Sequence, residues 1–221
     1  MGEGDNRSPE RTEIADSQPS PLPSESGPAA GRFEGPRMRV ILLGPPGSGK
    51  GTQGAVLSKK YGVPQISTGD MLRMAVAAGS DLGRKVQGIM DLGNLVDDET
   101  MLEVVTERLA QPDTASGFLL DGYPRTLPQA RSLDRMLGEG GIDRVLLVEV
   151  PEDELTRRML ARGRKDDTRE VVIDRLRIYR EDTEPLVAYY GGLVRRISGF
   201  QPIPEVTRQM VAALEGVGGA V

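Results

Sequence analysis

Two kinds of segment alternate along residues 38–221. Short apolar runs bounded by glycine or polar residues are typical of buried parallel strands, and they occupy 39–43, 63–66, 118–120, 144–150 and 193–197. Stretches with the apolar spacing of helices lie between and after them, at 48–60, 69–78, 126–137, from 152 onward, 171–190 and 205–214. No element is predicted between 79 and 117. The alternation predicts one α/β domain with a parallel five-stranded sheet flanked by helices.

Residues 1–37 have a different composition. They hold six Pro, five Gly and five Ser, with only four large apolar residues. Such a segment buries too little apolar surface to offset the entropy lost on ordering. We therefore expect 1–37 to be a disordered leader, without the pattern of a secretory signal or a transit peptide. The domain is expected to span 38–221, with Met38 as a plausible true start.

The overall composition excludes several kinds of chemistry. Without Cys or His the sequence offers no thiol nucleophile, no disulfide framework, no zinc site built on those ligands and no histidine base. The 28 basic and 33 acidic residues give a net charge of −5, and three Phe, five Tyr and no Trp leave few rings for stacking on bases. No apolar run approaches the roughly 20 residues of a membrane span. We expect a soluble cytoplasmic protein that binds neither nucleic acid nor membrane.

The strongest motif follows the first strand. The residues GPPGSGKGT at 44–52 match the phosphate-loop pattern G-x-x-x-x-G-K and open a helix, which is the context that this pattern requires. The glycines let backbone N–H groups face phosphate oxygens, and Lys50 reaches the β- and γ-phosphates. A glycine-rich turn without a ligand is the alternative, and the context disfavours it. Gly51 stands where the general pattern has a magnesium-binding Ser or Thr, and Thr52 follows it.

Two later segments place polar residues at the ends of elements. In STGDMLR at 67–73, Thr68 begins a helix and Arg73 lies one turn into it. In DGYPRT at 121–126, Asp121 ends the third strand and points into the crevice beside the phosphate loop, where it can hold magnesium directly or through water. Taken alone, the aspartate is also compatible with a helix cap, and the arginines of both segments with ordinary surface charges.

Together these segments resemble the adenylate kinase family, whose phosphate loop has the spelling Gly-x-Pro-Gly-Ser-Gly-Lys-Gly-Thr-Gln. The resemblance covers nearly the whole chain from residue 38 onward. It implies a three-layer P-loop fold with a mobile monophosphate-binding segment at about 67–96. It implies that ATP is bound by Gly47, Ser48, Gly49, Lys50, Gly51 and Thr52, and that AMP is bound by Thr68, Arg73, Asn94, Leu95, Val96, Gly122, Tyr123, Pro124, Arg125 and Gln129. Gln129 would read the adenine edge, and its pairing with Thr68 favours adenylate over uridylate and cytidylate kinases.

Arginines crowd the following part of the chain, at Arg157, Arg158, Arg162, Arg164, Arg169, Arg175 and Arg177. A solvated helix face is the ordinary interpretation of such a cluster. However, the string R-x-x-x-R-G-R-x-D-D at 158–167 resembles the family's lid, and phosphoryl transfer needs several fixed cations. The resemblance implies that Arg158 stacks on the adenine of ATP and that Arg162 holds ATP phosphates. Arg164 and Arg175 would bridge both nucleotides.

The lid, at about 162–173, is short. A single glycine separates its first two arginines, where longer relatives carry an insertion, and a lid without Cys or His holds no structural zinc. By the same resemblance, Asp166 and Asp167 orient the arginines in the closed state. Gln201 would lie near the adenine of ATP and contact it through its backbone.

The chain is thus identified, by resemblance, as a member of the adenylate kinase family. It is expected to be a monomer that converts ATP and AMP reversibly into two ADP with Mg²⁺. The expected catalytic residues are Lys50, Arg125, Arg162, Arg164 and Arg175. The reaction needs no general base, because the acceptor phosphate has a second pKa of about 6 and is already anionic at pH 7. Another nucleoside monophosphate kinase and a catalytically silent nucleotide-binding module are the alternatives.

Overall fold

Over the residues that it describes, the computed structural model has one sheet of five parallel strands in the order β2-β3-β1-β4-β5. The strands are β1 (Met38–Leu43), β2 (Gln65–Ser67), β3 (Gly117–Asp121), β4 (Arg144–Glu149) and β5 (Val194–Ser198). The structure describes Met1 and residues 38–164 and 167–215. Apart from Met1, the predictions for 1–37 concern residues outside this set, and so do those for Asp166. The predicted parallel five-stranded α/β sheet is confirmed.

The central position of β1 explains the apolar run at 40–43 that follows Arg39. Ile41 and Leu43 pack into the core on one face of the sheet. Val40 and Leu42 pack into the core on the other face, and all four are at most 3% exposed. Because both faces are covered, alternating polar residues would be buried without water. Leu42 is level with Asp121 of β3, so these two strands end at the same edge.

Helices cover both faces of the sheet. Within the described residues they are α1 (Lys50–Tyr61), α2 (Thr68–Ala77), α3 (Asp81–Asp91), α4 (Asp98–Leu109), α5 (Leu127–Leu137), α6 (Glu152–Arg162), α7 (Arg169–Ile178), α8 (Leu186–Tyr190) and α9 (Ile203–Leu214). Short 3₁₀ turns lie at Pro112–Thr114 and Gly191–Leu193, and a π-helical turn lies at Tyr179–Thr183. None of these helices is both long and apolar enough to cross a bilayer.

Helices α3 and α4 occupy a region for which no element is predicted from the sequence. Each begins at a side-chain cap: Ser80 Oγ accepts from the N–H of Gly83 at 3.1 Å, and Asp97 Oδ1 accepts from the N–H of Thr100 at 2.8 Å. Gly83 packs so closely on α2 that a Cβ there would lie 2.1 Å from the carbonyl oxygen of Ala75. The apolar residues of α3 nevertheless have helical spacing and pack on the core: Leu82, Val86, Ile89 and Met90. The capping residues and, for α3, the apolar spacing are therefore usable sequence signals for these helices.

The long helical stretch predicted over 171–190 is present but interrupted. After α7 the N–H of Glu184 donates to a carbonyl five residues earlier at 2.8 Å, which closes the π-helical turn. Pro185 has no N–H with which to continue the ladder, and α8 begins after it. The break has a structural use, because Thr183 in this turn donates its hydroxyl to the carbonyl oxygen of Arg125 at 2.9 Å.

Candidate active site

A cleft of about 890 Å³ opens where the carboxyl ends of β1 and β3 meet. This is the switch point of the sheet, since the chain connects to opposite sides of the central strand. The described residues that the sequence assigned to nucleotides, to the metal or to the lid all line this cleft, except Tyr123 and Asp167. The cleft therefore brings together segments that are up to about 150 residues apart in sequence.

The floor of the cleft is the phosphate loop at 44–52. Gly49, which precedes α1, has a φ of 95°, and Gly47 has a φ of 83°, a left-handed conformation that other residues adopt only with strain. No side chain caps α1 at Gly49. The first N–H groups of the helix are thus left for an anion, which the positive end of the helix dipole also favours.

Lys50 folds back over this loop. Its Nζ donates to the carbonyl oxygens of Gly44 at 2.7 Å and Pro45 at 2.9 Å. Burial lowers the pKa of Lys50 to about 8, against the attraction of Asp121 and together with repulsion from two nearby arginines. Because these carbonyl partners are neutral dipoles, they compensate the positive charge of Lys50 only in part. A phosphate bound in the loop would compensate it more fully.

Asp121 stands at the end of β3 beside the first turn of α1. A Cβ on Gly51 would lie 3.6 Å from its Oδ2, so the glycine leaves this carboxylate uncovered. Among the described residues, no group of three or more Asp, Glu, His or Cys side chains gathers as a metal cluster. A single carboxylate beside a phosphate loop nevertheless fits Mg²⁺, because this ion keeps several waters and binds substrate phosphates.

The α2 side of the cleft carries a second set of polar residues. Ser67 caps α2 by accepting from the N–H of Asp70 at 3.3 Å, and Thr68 Oγ1 donates to a main-chain carbonyl at the end of β3 at 3.4 Å. Asp70 pairs with Arg73 one turn along, and its Oδ1 lies 3.9 Å from a terminal nitrogen of Arg164. Desolvation raises the pKa of Asp70, but the bonds from Arg73 and Ser67 outweigh it and hold the pKa below its ordinary value.

Arg125 and Gln129 lie on the turn and the first helical residues after β3. Arg125 Nε donates to the carbonyl oxygen of Gly122 at 2.8 Å, and burial lowers the pKa of the guanidinium. Gln129 is 2% exposed. Its Oε1 accepts from the N–H of Arg125 at 2.7 Å, and its Nε2 donates to Asp98 Oδ1 at 2.8 Å. A peptide N–H only donates and a carboxylate only accepts, so these contacts fix the orientation of the amide.

Tyr123 has its side chain away from the cleft. It is 1% exposed, and its hydroxyl donates to the carbonyl oxygen of Gln129 at 3.3 Å. Burial raises the pKa of Tyr123 to about 12. The ring supports the turn that carries Arg125 and Gln129, so a contact of this residue with a nucleotide would fall to its main chain.

Two arginines on the lid side, Arg162 and Arg175, share one buried carboxylate. Arg162 makes a two-point contact with Asp167, at 2.7 and 2.9 Å, and Arg175 lies 3.1 Å from the same side chain. The Asp167 side chain is 1% exposed. The structure thus places Asp167 where it orients two arginines.

The far end of the cleft joins α6 to the loop before α9. Arg158 Nε donates to Glu154 at 2.6 Å, and the same guanidinium donates to the carbonyl oxygen of Gly199 at 3.2 Å. The side-chain oxygen of Gln201 accepts from Nε2 of Gln209 at 2.7 Å. Arg158 and Gln201 therefore line the same end of the cleft.

A buried amide fastens this end to the phosphate-loop helix. Gln53 of α1 is 3% exposed and donates to the carbonyl oxygen of Ile203 at 3.1 Å. Its Oε1 accepts from the hydroxyl of Thr207 at 2.7 Å. The position of α9 is thus set by contact with the helix that follows the loop.

Four polar partners of the predicted residues were not expected from the sequence: Asp70, Asp98, Glu154 and Gln209. Asp70 and Glu154 lie three or four residues from the arginines that they hold, so helical spacing was a usable signal. Asp98 reaches Gln129 across 31 positions, and no local pattern indicates that contact.

Comparison with known proteins agrees with this geometry. The sequence model of the family described as adenylate kinase matches residues 42–193. A protein of Nocardia farcinica named adenylate kinase is 50% identical over 179 residues, which cover 80% of this chain and 99% of that protein. A Brucella ovis protein of the same name is 49% identical over 187 residues, covering 78% of this chain and 96% of that protein. The resemblance inferred from the motifs is confirmed, and this chain belongs to the adenylate kinase family of phosphotransferases.

Proposed function

We propose that this cleft transfers the γ-phosphoryl group of ATP to AMP, reversibly and with Mg²⁺, to give two ADP. One observation carries the proposal: a single cleft has the buried amide of Gln129 at one end, Arg158 and Gln201 at the other, and the phosphate loop and further arginines between them. Two nucleotides bound at these ends would direct their phosphates toward each other. The arrangement suits direct transfer between phosphates, in which positioning supplies most of the catalysis.

The donor nucleotide occupies the floor and the far end of the cleft in this proposal. The backbone of the phosphate loop and Lys50 hold its phosphates. Arg158 and the loop at Gln201 flank its base. The donor-binding set is Gly47, Ser48, Gly49, Lys50, Gly51, Thr52, Arg158, Arg162 and Gln201.

The acceptor nucleotide occupies the α2 side. Arg73 and Arg125 supply charge for its phosphate, and Gln129 supplies hydrogen bonds for its base. The acceptor-binding set is Thr68, Arg73, Asn94, Leu95, Val96, Gly122, Tyr123, Pro124, Arg125, Gln129, Arg164 and Arg175. Within it, the buried Thr68 and the partly exposed Arg73 of α2 contact phosphate, and the buried Gln129 faces the purine.

The chemical step needs charge rather than a base. The acceptor phosphate is already anionic at neutral pH, so no proton has to be removed from the attacking oxygen. Negative charge spreads over the transferring group, and Arg162, Arg164 and Arg175 stabilise it together with Lys50 and Arg125. Guanidinium groups suit this task because their planar donors match phosphate oxygens.

Magnesium would be held through Asp121 and water, and when bound it supplies positive charge against the phosphates of ATP. The sequence contains no Cys or His, so zinc has none of its usual nitrogen and sulfur ligands in the lid. The net charge of −5 agrees with a protein that does not bind nucleic acid. We expect a cytoplasmic monomer, and light scattering after gel filtration tests the monomeric state.

Initial rates with MgATP and a panel of nucleoside monophosphates test the function. AMP should be the best acceptor, and omission of Mg²⁺ should abolish turnover. If another monophosphate is preferred, the enzyme is a different nucleoside monophosphate kinase. If no acceptor yields ADP while ATP still binds by calorimetry, the cleft belongs to a silent nucleotide-binding module.

A further inference from the structure

The amide of Gln129 is held by a residue from a different helix. Asp98 is the first residue of α4, and its Oδ1 accepts from Gln129 Nε2 at 2.8 Å. The same carboxylate accepts from the hydroxyl of Thr126 at 3.0 and 3.2 Å. Thr126 in turn caps α5 by accepting from the N–H of Gln129 at 3.3 Å. Gln129 is therefore fixed at its side chain and at its main chain by one small network.

This network leaves a defined part of the amide open. A glutamine amide has two N–H donors and two acceptor lone pairs. Asp98 uses one N–H, and the N–H of Arg125 uses one lone pair. One donor and one acceptor remain on a side chain that lines the cleft. Adenine presents the complementary pair, an acceptor ring nitrogen beside the N6 amino donor, whereas a 6-keto purine presents an acceptor at O6 and a donor at the ring nitrogen.

Without a fixed orientation the amide could serve either kind of purine, because a flip exchanges its oxygen and nitrogen. In the flipped state Oε1 would face the carboxylate of Asp98, and Nε2 would face the N–H of Arg125. One acceptor would then face another acceptor, and one donor would face another donor, so both hydrogen bonds would be lost. With Asp98 removed, only the contact with Arg125 still opposes the flip.

We propose that Asp98 is a positioning residue that locks the amide of Gln129 in the orientation complementary to a 6-aminopurine, and so sets the preference for AMP over 6-ketopurine monophosphates. The inference rests on the proposed function, because it concerns the acceptor of that reaction. Asp98 acts through Gln129 and does not itself contact the nucleotide.

The neighbouring residue provides a matched control. Asp97 is the N-cap of α4, accepts from the N–H of Thr100 at 2.8 Å, and lies 3.8 Å from Lys85 Nζ. It has no hydrogen bond with Gln129. Two adjacent carboxylates therefore divide the tasks, with Asp97 starting the helix and Asp98 holding the amide. Asp97→Ala loosens the same end of α4 without touching the network.

The test compares kcat and KM for AMP and for IMP, which share the purine shape, in folded variants checked by circular dichroism. For Asp98→Ala the ratio of kcat/KM for AMP to that for IMP should fall about tenfold, the worth of one oriented hydrogen bond. The fall should come mainly from a higher KM for AMP, with the KM for ATP within about twofold of wild type. Asp98→Asn keeps a carbonyl oxygen and should restore most of the ratio. Asp98→Ser, which suits a first helical turn, replaces the alanine variant if that variant does not fold.

Three outcomes overturn the inference. Asp97→Ala lowers the ratio as much as Asp98→Ala does; or Asp98→Ala raises the KM for AMP and IMP equally; or Asp98→Ala has its full effect on the ratio in a Gln129→Ala background. Failure of the proposed function looks different, because the wild-type enzyme itself would then show no preference for AMP or make no ADP.

Discussion

The floor and the lid side of the cleft hold positive charge in opposite ways. On the floor, Lys50 is surrounded by carbonyl oxygens of its own loop, and burial lowers its pKa to about 8. On the lid side, Arg162 and Arg175 share the buried carboxylate of Asp167. Arg164 lies 3.9 Å from Asp70, and more than a third of its side chain is exposed. On the floor, the hydrogen-bond partners of the cation are neutral. On the lid side, a carboxylate already supplies negative charge to the arginines.

The difference assigns different tasks to the two regions. The ammonium group of Lys50 on the floor is desolvated. An anion that binds there attracts this group and so stabilises its charged form. On the lid side an anion meets arginines that are already paired and directed by a carboxylate. The floor is therefore suited mainly to binding phosphate in the ground state, and the lid arginines mainly to the charge that develops during transfer.

Replacing Lys50 should have the largest effect. Lys50→Met keeps the length of the side chain but removes the charge of the floor. Activity should fall roughly 10⁴-fold, within the range for a lost phosphoryl-transfer cation, while the melting temperature stays near the wild-type value or rises. Rates and thermal unfolding by circular dichroism check this. An unfolded variant, or a folded one with near-native rate, would contradict the assigned role.

Removing Arg164 should come next. Arg164→Ala is expected to lower kcat on the order of 10³-fold or more, because the contact is made mainly in the transition state. KM and the dissociation constants for both nucleotides should change far less, and the melting temperature should barely change. Steady-state kinetics with both substrates varied, together with calorimetry, measure these quantities. A large rise in KM at constant kcat would mean that Arg164, like the floor, binds phosphate mainly in the ground state.

Neutralising Asp167 should mainly affect stability. Asp167→Asn leaves two arginines without their shared charge, so the free energy of unfolding should fall by about 2 kcal/mol and the melting temperature by roughly 4–8 °C. A bound nucleotide should restore more stability to the variant than to wild type, because phosphate replaces the lost charge. Glu205→Gln, which breaks the exposed pair with Arg208, is the control and should leave the melting temperature unchanged. Equal stabilisation of variant and wild type by nucleotide would mean that Asp167 and phosphate do not substitute for each other.

The smallest effect concerns pH. Because the pKa of Lys50 in the free enzyme is about 8, affinity for ATP should fall about fourfold between pH 7 and pH 8.5. This fall in affinity does not come from unfolding. The pKa of Lys50 is lower in the folded state than in the unfolded state, so the free energy of unfolding increases as pH rises from about 8 toward 10.5. Calorimetric titration at several pH values measures the affinity. The Lys50→Arg variant stays charged over this pH range, so its affinity for ATP should not fall. If the affinity of the wild type does not change with pH either, Lys50 keeps its proton up to pH 8.5.

The sequence predicts those parts of the fold best whose structure depends on neighbouring residues in the chain. The apolar run of β1 and the glycines around Lys50 specify a buried central strand and a phosphate loop, because each residue type serves its own position. Helices α3 and α4 are not predicted, although their caps at Ser80 and Asp97 and the apolar spacing of α3 are local signals for them. The π-helical turn escapes because it depends on Pro185 and on a distant bond from Thr183 to Arg125.

The same limit applies to the site. Its phosphate-facing residues are readable because glycine, lysine and arginine at fixed spacing carry the chemistry themselves. Their orienting partners are ordinary acidic and amide residues, such as Asp98 and Gln209, whose meaning comes from a contact made only after folding. The buried position of Tyr123 is of this kind too, since the sequence motif does not tell a side-chain contact from a main-chain contact.

The link from Gln53 to Ile203 and Thr207 has a consequence during synthesis. The phosphate loop leaves the ribosome about 150 residues before the segment that closes the far end of the cleft. At 5–20 residues per second, that interval lasts roughly 8–30 seconds. Until that segment has been made, the far end of the cleft lacks the residues that close it. We therefore expect nucleotide to stabilise completed chains more than chains that end before α9.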